Sequence, residues 1–366
     1  MPTPKTILQV VPHPPGTLDG VGDYALNLAR VLCTQQGLTT IFAVAQKTPV
    51  EARDGFQVVS GLDQSAAADS LAQRCDHLIL HYVNYGYQAR GVPFSLLGFL
   101  HRIRRKCRGR LLTIFHELYA SGPPWTSTFW LQPLQKKIAR EIARLSDATV
   151  VSNETTHAEL QALTHGVSAS ILPVISNFGE PSLSPAQLAE RDPHRWAICG
   201  GTALVARSLE SFCAIQNRIP DSVSPRKLFV LGGTDNPAVR AMLSGLPNLQ
   251  TRYFPAVERA EVSRILSTCS FAWLDYFHRS DVPTKAILKS TAFAAACAHG
   301  LVPLFPHAGS AISLREDRLP GPYFVAPDRM ELPDDRARVA AEVYAWYHRN
   351  ASSERLASGI AQALSV

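Results

Sequence analysis

Runs of apolar and β-branched residues alternate with helix-forming stretches along nearly the whole chain, and no other feature narrows the fold so far. In the first half, buried strands are expected over 6–11, 39–45, 56–60, 76–83, 110–115, 147–152 and 170–176, with helices over 22–32, 65–75, 93–105, 130–145 and 154–164. Within 22–32, Ala25, Leu28, Ala29 and Leu32 recur at helical spacing, so one face is apolar. Alternation of this kind builds a parallel, doubly wound sheet, because parallel neighbours need a crossover and a helix supplies it. A stretch of glycine, proline and acidic residues over 177–193 reads as an interdomain linker. A second series follows, with strands over 195–199, 227–231, 249–254, 270–276, 301–305 and 323–326 and helices over 204–217, 238–246, 258–268, 292–298, 336–347 and 353–364. The chain of 366 residues is long enough for two such domains, expected at 1–178 and 190–349.

In a doubly wound sheet, ligands sit beyond the carboxyl ends of the strands. Four features of the first half fall there: the loop 12–20, His81, His116 and Glu117. Gly20 and Gly22 stand at the mouth of the first helix with Asp23 beside them. They allow the backbone close to a ligand, or serve a plain tight turn. The dinucleotide fingerprint is not met, for want of a third glycine at the right spacing, which argues against a dehydrogenase. A single histidine at a strand end is as readily structural. The convergence of four features on one rim carries the functional reading.

In the second half, Gly200, Gly201 and Thr202 follow one strand and Gly232 and Gly233 the next, again allowing close backbone approach. Arg207 stands behind the first pair, where a surface arginine is the plainer reading. Ser290 or Thr291 is able to cap the alanine-rich helix 292–298, with Lys289 at its mouth and Gly300 at its end. A helix N-terminus offers unpaired N–H groups and partial positive charge. With Lys289, two hydroxyls and Arg207, it would neutralise a diphosphate without a metal ion. Asp235, Asp275 and Asp281 do not form a tight acidic cluster, so no metal and no other cofactor is expected.

Hydrophobic content of 46% and charge of 18% describe a globular chain with ample core, and the net charge of +6 suits anionic ligands. Seven scattered cysteines without a CxxC pair suggest neither a disulfide framework nor a zinc site. The N-terminus lacks a signal-peptide pattern, and no apolar run approaches the roughly 20 residues of a membrane helix. A cytoplasmic location is expected, with the sequons at Asn153 and Asn350 idle. Residues 101–110 carry six Lys and Arg. With the apolar residues from Phe94 onward, 94–110 forms a basic amphipathic helix, able to meet an anionic inner membrane face or simply to cover the sheet with a solvated basic face. No nucleic-acid motif or aromatic platform accompanies these arginines, so nucleic acid is not expected as a partner.

Four stretches, 20–29, 113–119, 148–152 with 173–177, and 289–303, resemble the GT-B glycosyltransferases, and within them the family 4-like group called glycosyl transferases group 1. The resemblance implies two Rossmann-like domains facing across a cleft, with a C-terminal helix, within 350–366, crossing back to the first. It implies a metal-independent hexosyltransferase moving a sugar from a nucleotide-sugar to a hydroxyl acceptor, a glycan or lipid-linked saccharide of polysaccharide or glycoconjugate synthesis. The donor diphosphate would be held by Arg207, Lys289, Ser290 and Thr291, with Gly200, Gly201, Thr202, Gly232 and Gly233 around the nucleotide and sugar. Gly20, Gly22 and His81 would line the acceptor side, and His116, Glu117 and Asp23 would be the catalytic candidates. The pattern departs at the family's two glutamates, whose places are taken by Ile287 and Ala295. Either Lys289, Ser290 and Thr291 hold the donor differently, or the chain binds sugar nucleotides without the usual retaining chemistry. A sugar-nucleotide 2-epimerase, or a catalytically degenerate scaffold binding a nucleotide or partner, are the alternatives.

Overall fold

The strands expected from uninterrupted apolar runs occupy the middle of two parallel sheets. The computed structural model of the protein describes residues 5–16, 20–45, 54–60, 62, 65–277, 282–307 and 309–365, the side chains of 65–67 excepted. Residues 17–19 of the first loop and Asp281 lie outside the described residues. The chain divides into two units, Met1–Pro173 together with Ser353–Val366, and Val174–Ser352.

The first unit runs β1 (Thr6–Val11), α1 (Gly20–Gln36), β2 (Thr39–Val44), β3 (Gln57–Ser60), α2 (Ser65–Arg74), β4 (His77–Tyr82), α3 (Asn84–Tyr87), α4 (Phe94–Arg104), β5 (Leu111–Phe115), α5 (Ser127–Leu145), β6 (Ala148–Val151), α6 (Glu154–Thr164) and β7 (Ala169–Ile171). Its strands are all parallel, in the order β3-β2-β1-β4-β5-β6-β7. Side chains alternate across the sheet. Leu8, Val10, Leu78 and Leu80 join Phe99, Leu100, Ile138 and Ile142 in one core, while Val11, Phe42 and Val44 join Ala25, Leu26 and Ala29 of α1 in another. Each large apolar side chain so buried contributes about 1.5–3 kcal/mol.

The second unit runs α7 (Pro185–Ala189), β8 (Arg195–Cys199), α8 (Thr202–Ile215), β9 (Lys227–Leu231), α9 (Pro237–Ser244), β10 (Gln250–Phe254), α10 (Arg259–Leu266), β11 (Phe271–Trp273), α11 (Thr291–Ala298), β12 (Val302–Phe305), the hairpin β13 (Ser313–Leu314) and β14 (Asp317–Arg318), β15 (Tyr323–Ala326), β16 (Arg329–Met330) and α12 (Arg336–Asn350). Its main sheet has the order β10-β9-β8-β11-β12-β15-β16, parallel except for the β15–β16 pair. Trp196, Phe212, Phe271 and Trp273 fill its centre. Their buried indoles remain hydrogen-bonded: Trp196 donates to the carbonyls of Pro193 and Val223, and Trp273 to Ser211 Oγ. The last helix, α13 (Ser353–Leu364), belongs to the first unit and packs on α1.

Three expectations change. The stretch 170–176 is a strand only over Ala169–Ile171, because Leu172 N–H still donates to Val151 O of β6 whereas Val174 N–H donates to Leu288 O in the second unit. The expected linker 177–193 is part of the second unit. Ser184 and Gln187 form a capping box on α7, and α12 holds the segment before it, with Tyr347 receiving Ser176 N–H and donating to Glu180 and Tyr344 receiving Leu183 N–H. Lys289, expected simply at the mouth of the alanine-rich helix, is the last residue of a 3-10 helix over Thr284–Lys289 that leads directly into α11.

Candidate active site

In each unit the parallel strands put their carboxyl ends on one edge of the sheet, and the chemically capable residues are best followed edge by edge. In the first unit β1, β4 and β5 are neighbours, so His81 on β4 and His116 just after β5 meet. Their rings lie edge to edge and nearly coplanar, with centroids 5.5 Å apart and an interplanar angle of 16°. His116 Nε2 lies 3.2 Å from His81 Nδ1, and His81 Nε2 lies 2.8 Å from Gln9 Oε1 on β1. The Gln9 amide nitrogen donates to Thr40 Oγ1 on β2. Tyr24 of α1 sets its ring edge-on to both imidazoles, and its own buried hydroxyl is pushed to a higher pKa by desolvation. Burial drives His81 well below the ordinary histidine range, helped by the neighbouring His116, and brings His116 down to about 4. Both imidazoles are therefore neutral at neutral pH.

His81 is fully buried, so it stands behind His116 instead of itself lining the acceptor side as the resemblance implied. His116 is half-buried and Glu117 exposed. Gly20 opens α1, where an added Cβ would meet nothing within 4 Å. Gly22 is buried, and Asp23 sits in the first turn of α1.

In the second unit β9, β8, β11 and β12 are neighbours, and the loops after them form one rim. Two glycine loops press on each other. A Cβ on Gly232 would lie 2.6 Å from Gly200 O, and one on Gly233 2.8 Å from Thr202 Cα. Gly200, Gly232 and Gly233 also have positive φ, so loop packing alone accounts for these three glycines. Thr202 is engaged in the same contact, accepting from Thr234 N–H at 2.9 Å. Gly201 differs. It is exposed with φ of −71°, and a Cβ there would meet nothing within 4 Å.

The mouth of α11 adjoins this loop, because the Cys199 thiol at the end of β8 contacts Ala292 O at 3.8 Å. Of the two hydroxyls proposed as caps, Ser290 serves, accepting from Phe293 N–H. Thr291 is half-buried. Lys289 is exposed and makes no hydrogen bond or ion pair with a described residue. The other end of α11 is anchored. The buried Arg191 guanidinium donates to the carbonyls of Cys269, His299 and Gly300, which places a cation where the helix dipole favours one. His299 Nδ1–H donates to Ala295 O while its Nε2 accepts from Ser263. Ile287 and Ala295, which stand where the resemblance would put acids, are both fully buried.

Arg207 is tied inward: Nε donates to Asp275 O at 2.8 Å and lies 3.9 Å from Asp275 Oδ1. Asp275 is 3% exposed, its N–H bonds Ser208 Oγ, and His307 Nε2 lies 3.4 Å from Oδ1. Sequence reasoning weighed Asp275 only as a metal ligand and passed over His307. Both lie just beyond strand ends, β11 and β12, the same placement that singled out His81 and His116. Among the described residues no group of three or more His, Cys, Asp or Glu side chains is arranged to hold a metal ion.

Outside the rims, the helix expected over 94–110 ends at Arg104, and the basic residues from there on are partly used up by the protein itself. Arg104 pairs with Asp147 at 3.0 Å, Lys106 with Asp69 at 2.6 Å, and Arg110 bonds Ser365 at 2.7 Å. No described helix is long and apolar enough to cross a membrane.

Two parallel α/β units, each with a seven-stranded sheet, and a final helix returned to the first unit define the GT-B fold. Solved structures bear this out. The chain is similar to an α-glucosyltransferase in complex with UDP and a 13-mer DNA containing a central A:G mismatch, at 12% identity over 100% of both chains and a TM-score of 0.62. It is similar to AviGT4, a glycosyltransferase involved in avilamycin A biosynthesis, at 14% identity over 99% of this chain and 97% of that one, with a TM-score of 0.53. It is also similar to a protein of Listeria monocytogenes described as a UDP-N-acetylglucosamine 2-epimerase, at 9% identity over 99% and 96% of the two chains and a TM-score of 0.55. No family model and no curated protein sequence matches the chain. At these identities the likeness is one of fold.

Proposed function

We propose that the protein is a glycosyltransferase that moves a sugar from a nucleotide-sugar to a hydroxyl acceptor, a glycan or lipid-linked saccharide. The reading rests on one observation above others: at the strand ends of the second unit, the exposed Lys289, which pairs with no described residue, and the N-terminus of α11 adjoin Gly201, where the backbone is uncovered. Negative charge grows on the diphosphate as the glycosidic bond breaks. A cation and N–H groups fixed there stabilise the transition state more than the ground state. Lys289, Thr291 and the first amides of α11 take the diphosphate in this reading, with Gly201 beside the nucleotide. Arg207 acts from behind through its hold on Asp275.

The acceptor belongs to the first unit, near Gly20, Gly22, His116 and Glu117. If the reaction inverts the anomeric centre, His116, Glu117 or Asp23 takes the acceptor proton; if it retains, these residues position the sugars. UDP is the first nucleotide to try, since structures of this fold carry it. Residence in the cytoplasm fits seven free cysteines, and contact with an inner membrane face would fall to basic residues such as Arg102 and Arg108, whose side chains pair with no described residue. The test is release of UDP from a panel of UDP-sugars with and without saccharide acceptors. Acceptor-dependent release is expected; tight nucleotide binding with no turnover on any acceptor would instead mark a binding protein.

A second reading has its own support. Asp275, His307 and Arg207 gather acidic and basic groups at one rim, as a sugar-nucleotide 2-epimerase would need. Incubation with the nucleotide-sugar alone, followed by separation of the epimers, decides between them.

A further inference from the structure

A line of polar side chains crosses the first sheet where apolar ones would be expected. Thr40, Gln9 and His81 lie on β2, β1 and β4, with exposures of 4%, 0% and 0%, and the line ends at His116 beyond β5. Polar groups buried this deeply cost stability unless each is paired. Here each is paired, and the pairing has a direction. Gln9 turns its amide nitrogen to Thr40 and its oxygen to His81, so His81 Nε2 is the donor to Gln9 Oε1. A neutral imidazole carries one N–H. With the proton on Nε2, His81 Nδ1 is a lone pair, and the 3.2 Å contact requires His116 to donate its Nε2–H. His116, also neutral, then has its own lone pair on Nδ1, which bonds no described residue.

We infer that Gln9 and His81 are positioning residues that hold His116 in the Nε2-protonated tautomer, so that its Nδ1 is a hydrogen-bond acceptor for a hydroxyl at the rim. This rests on the reading of His116 as a site residue and adds the direction of its hydrogen bond: a ligand must bring an O–H to it, not a bare oxygen. Reversing the Gln9 amide would reverse every link and turn His116 Nδ1 into a donor, so the two directions predict opposite tautomers. Tyr24, edge-on to both rings, restrains their planes without entering the chain of protons.

The experiment is a long-range 1H–15N correlation spectrum of the uniformly 15N-labelled full chain without substrate, with His81→Gln and His116→Gln spectra to assign the two rings. The expected result is an N–H at Nε2 and a lone pair at Nδ1 for both. In Gln9→Leu, which leaves His81 Nε2 without its acceptor, His116 should pass to a mixture of tautomers, and Gln9→Glu, which keeps an acceptor there, should restore the single form. Turnover of Gln9→Leu should fall about 10- to 100-fold, the scale on which loss of an orienting partner acts. A proton on His116 Nδ1 in the unaltered protein overturns the inference, as does an unchanged tautomer in folded Gln9→Leu. If Gln9→Leu does not fold, the spectrum of the unaltered protein decides alone. No substrate is present, so the outcome is separable from that of the transfer assay.

Discussion

Lys289→Ala isolates the proposed diphosphate contact from the fold. The side chain is exposed and unpartnered among described residues, and the cap on α11 is made by Ser290, not by Lys289. Folding stability should therefore change by no more than about 0.5 kcal/mol, as at ordinary surface positions. A hydrogen bond from a lysine to a phosphate oxygen is charge-assisted and contributes about 1.5–3 kcal/mol. If that bond tightens as charge moves onto the leaving diphosphate, kcat/KM falls by about 10- to 150-fold. Lys289→Arg, which keeps the charge, should recover part of the loss. The assay is steady-state UDP release from the preferred UDP-sugar, with thermal unfolding of each variant in parallel. A kcat/KM within twofold of the unaltered protein, at equal thermal stability, would refute the assignment of the diphosphate to this end of α11.

The two kinds of glycine in the donor rim should separate cleanly. Gly233→Ala forces a Cβ against Thr202 at a φ of +71° and should cost at least about 2 kcal/mol in urea unfolding. Gly201→Ala should leave stability unchanged and weaken UDP binding about tenfold by calorimetry, because only a ligand would meet the new methyl group. Arg191→Met strips three carbonyls of their buried donor and should lower stability by about 3 kcal/mol, visible as a lower urea midpoint at unchanged slope. For pH, the buried His299 has its pKa lowered from 6.5 to about 4 by desolvation. The unfolded chain then binds the proton more readily than the native one, so stability is full above the unfolded pKa near 6.5. It declines as pH falls from there to about 4 and loses nothing more from this group below that, about 3 kcal/mol in all. His299→Gln should remove this group's share of the acid limb of the stability–pH curve and leave the shares of His81 and His116, whose pKa values burial also lowers.

Much of this architecture could be read before the structure was seen, for a definable reason. Strands buried on both faces appear as unbroken apolar runs, and β8 and β9 fall where such runs predict them. Helix α6 likewise spans the stretch its pattern marks, with Asn153 as its cap. What escaped depended on tertiary partners. The proline-bearing segment 177–193 looked like a linker because nothing local says that Tyr344 and Tyr347, far along the chain, will fasten it. Gly232 and Gly233 looked like ligand loops because spacing does not distinguish a backbone uncovered for a ligand from one covered by Gly200 and Thr202. His81 was visible as a strand-end histidine, but its burial follows from which face of β4 it takes and from the Gln9 opposite it. Asp275 and His307 come together only because β11 and β12 are adjacent.

In the proposed reaction the second unit takes a nucleoside diphosphate at its strand-end rim, between the Gly201 loop and the mouth of α11. Hydrogen–deuterium exchange of the whole protein with and without saturating UDP addresses it directly. Slower exchange confined to the amides around 200–204 and 289–294 is the predicted result. Protection that falls elsewhere while these amides exchange as before, or an absence of UDP binding at millimolar concentration, would contradict it.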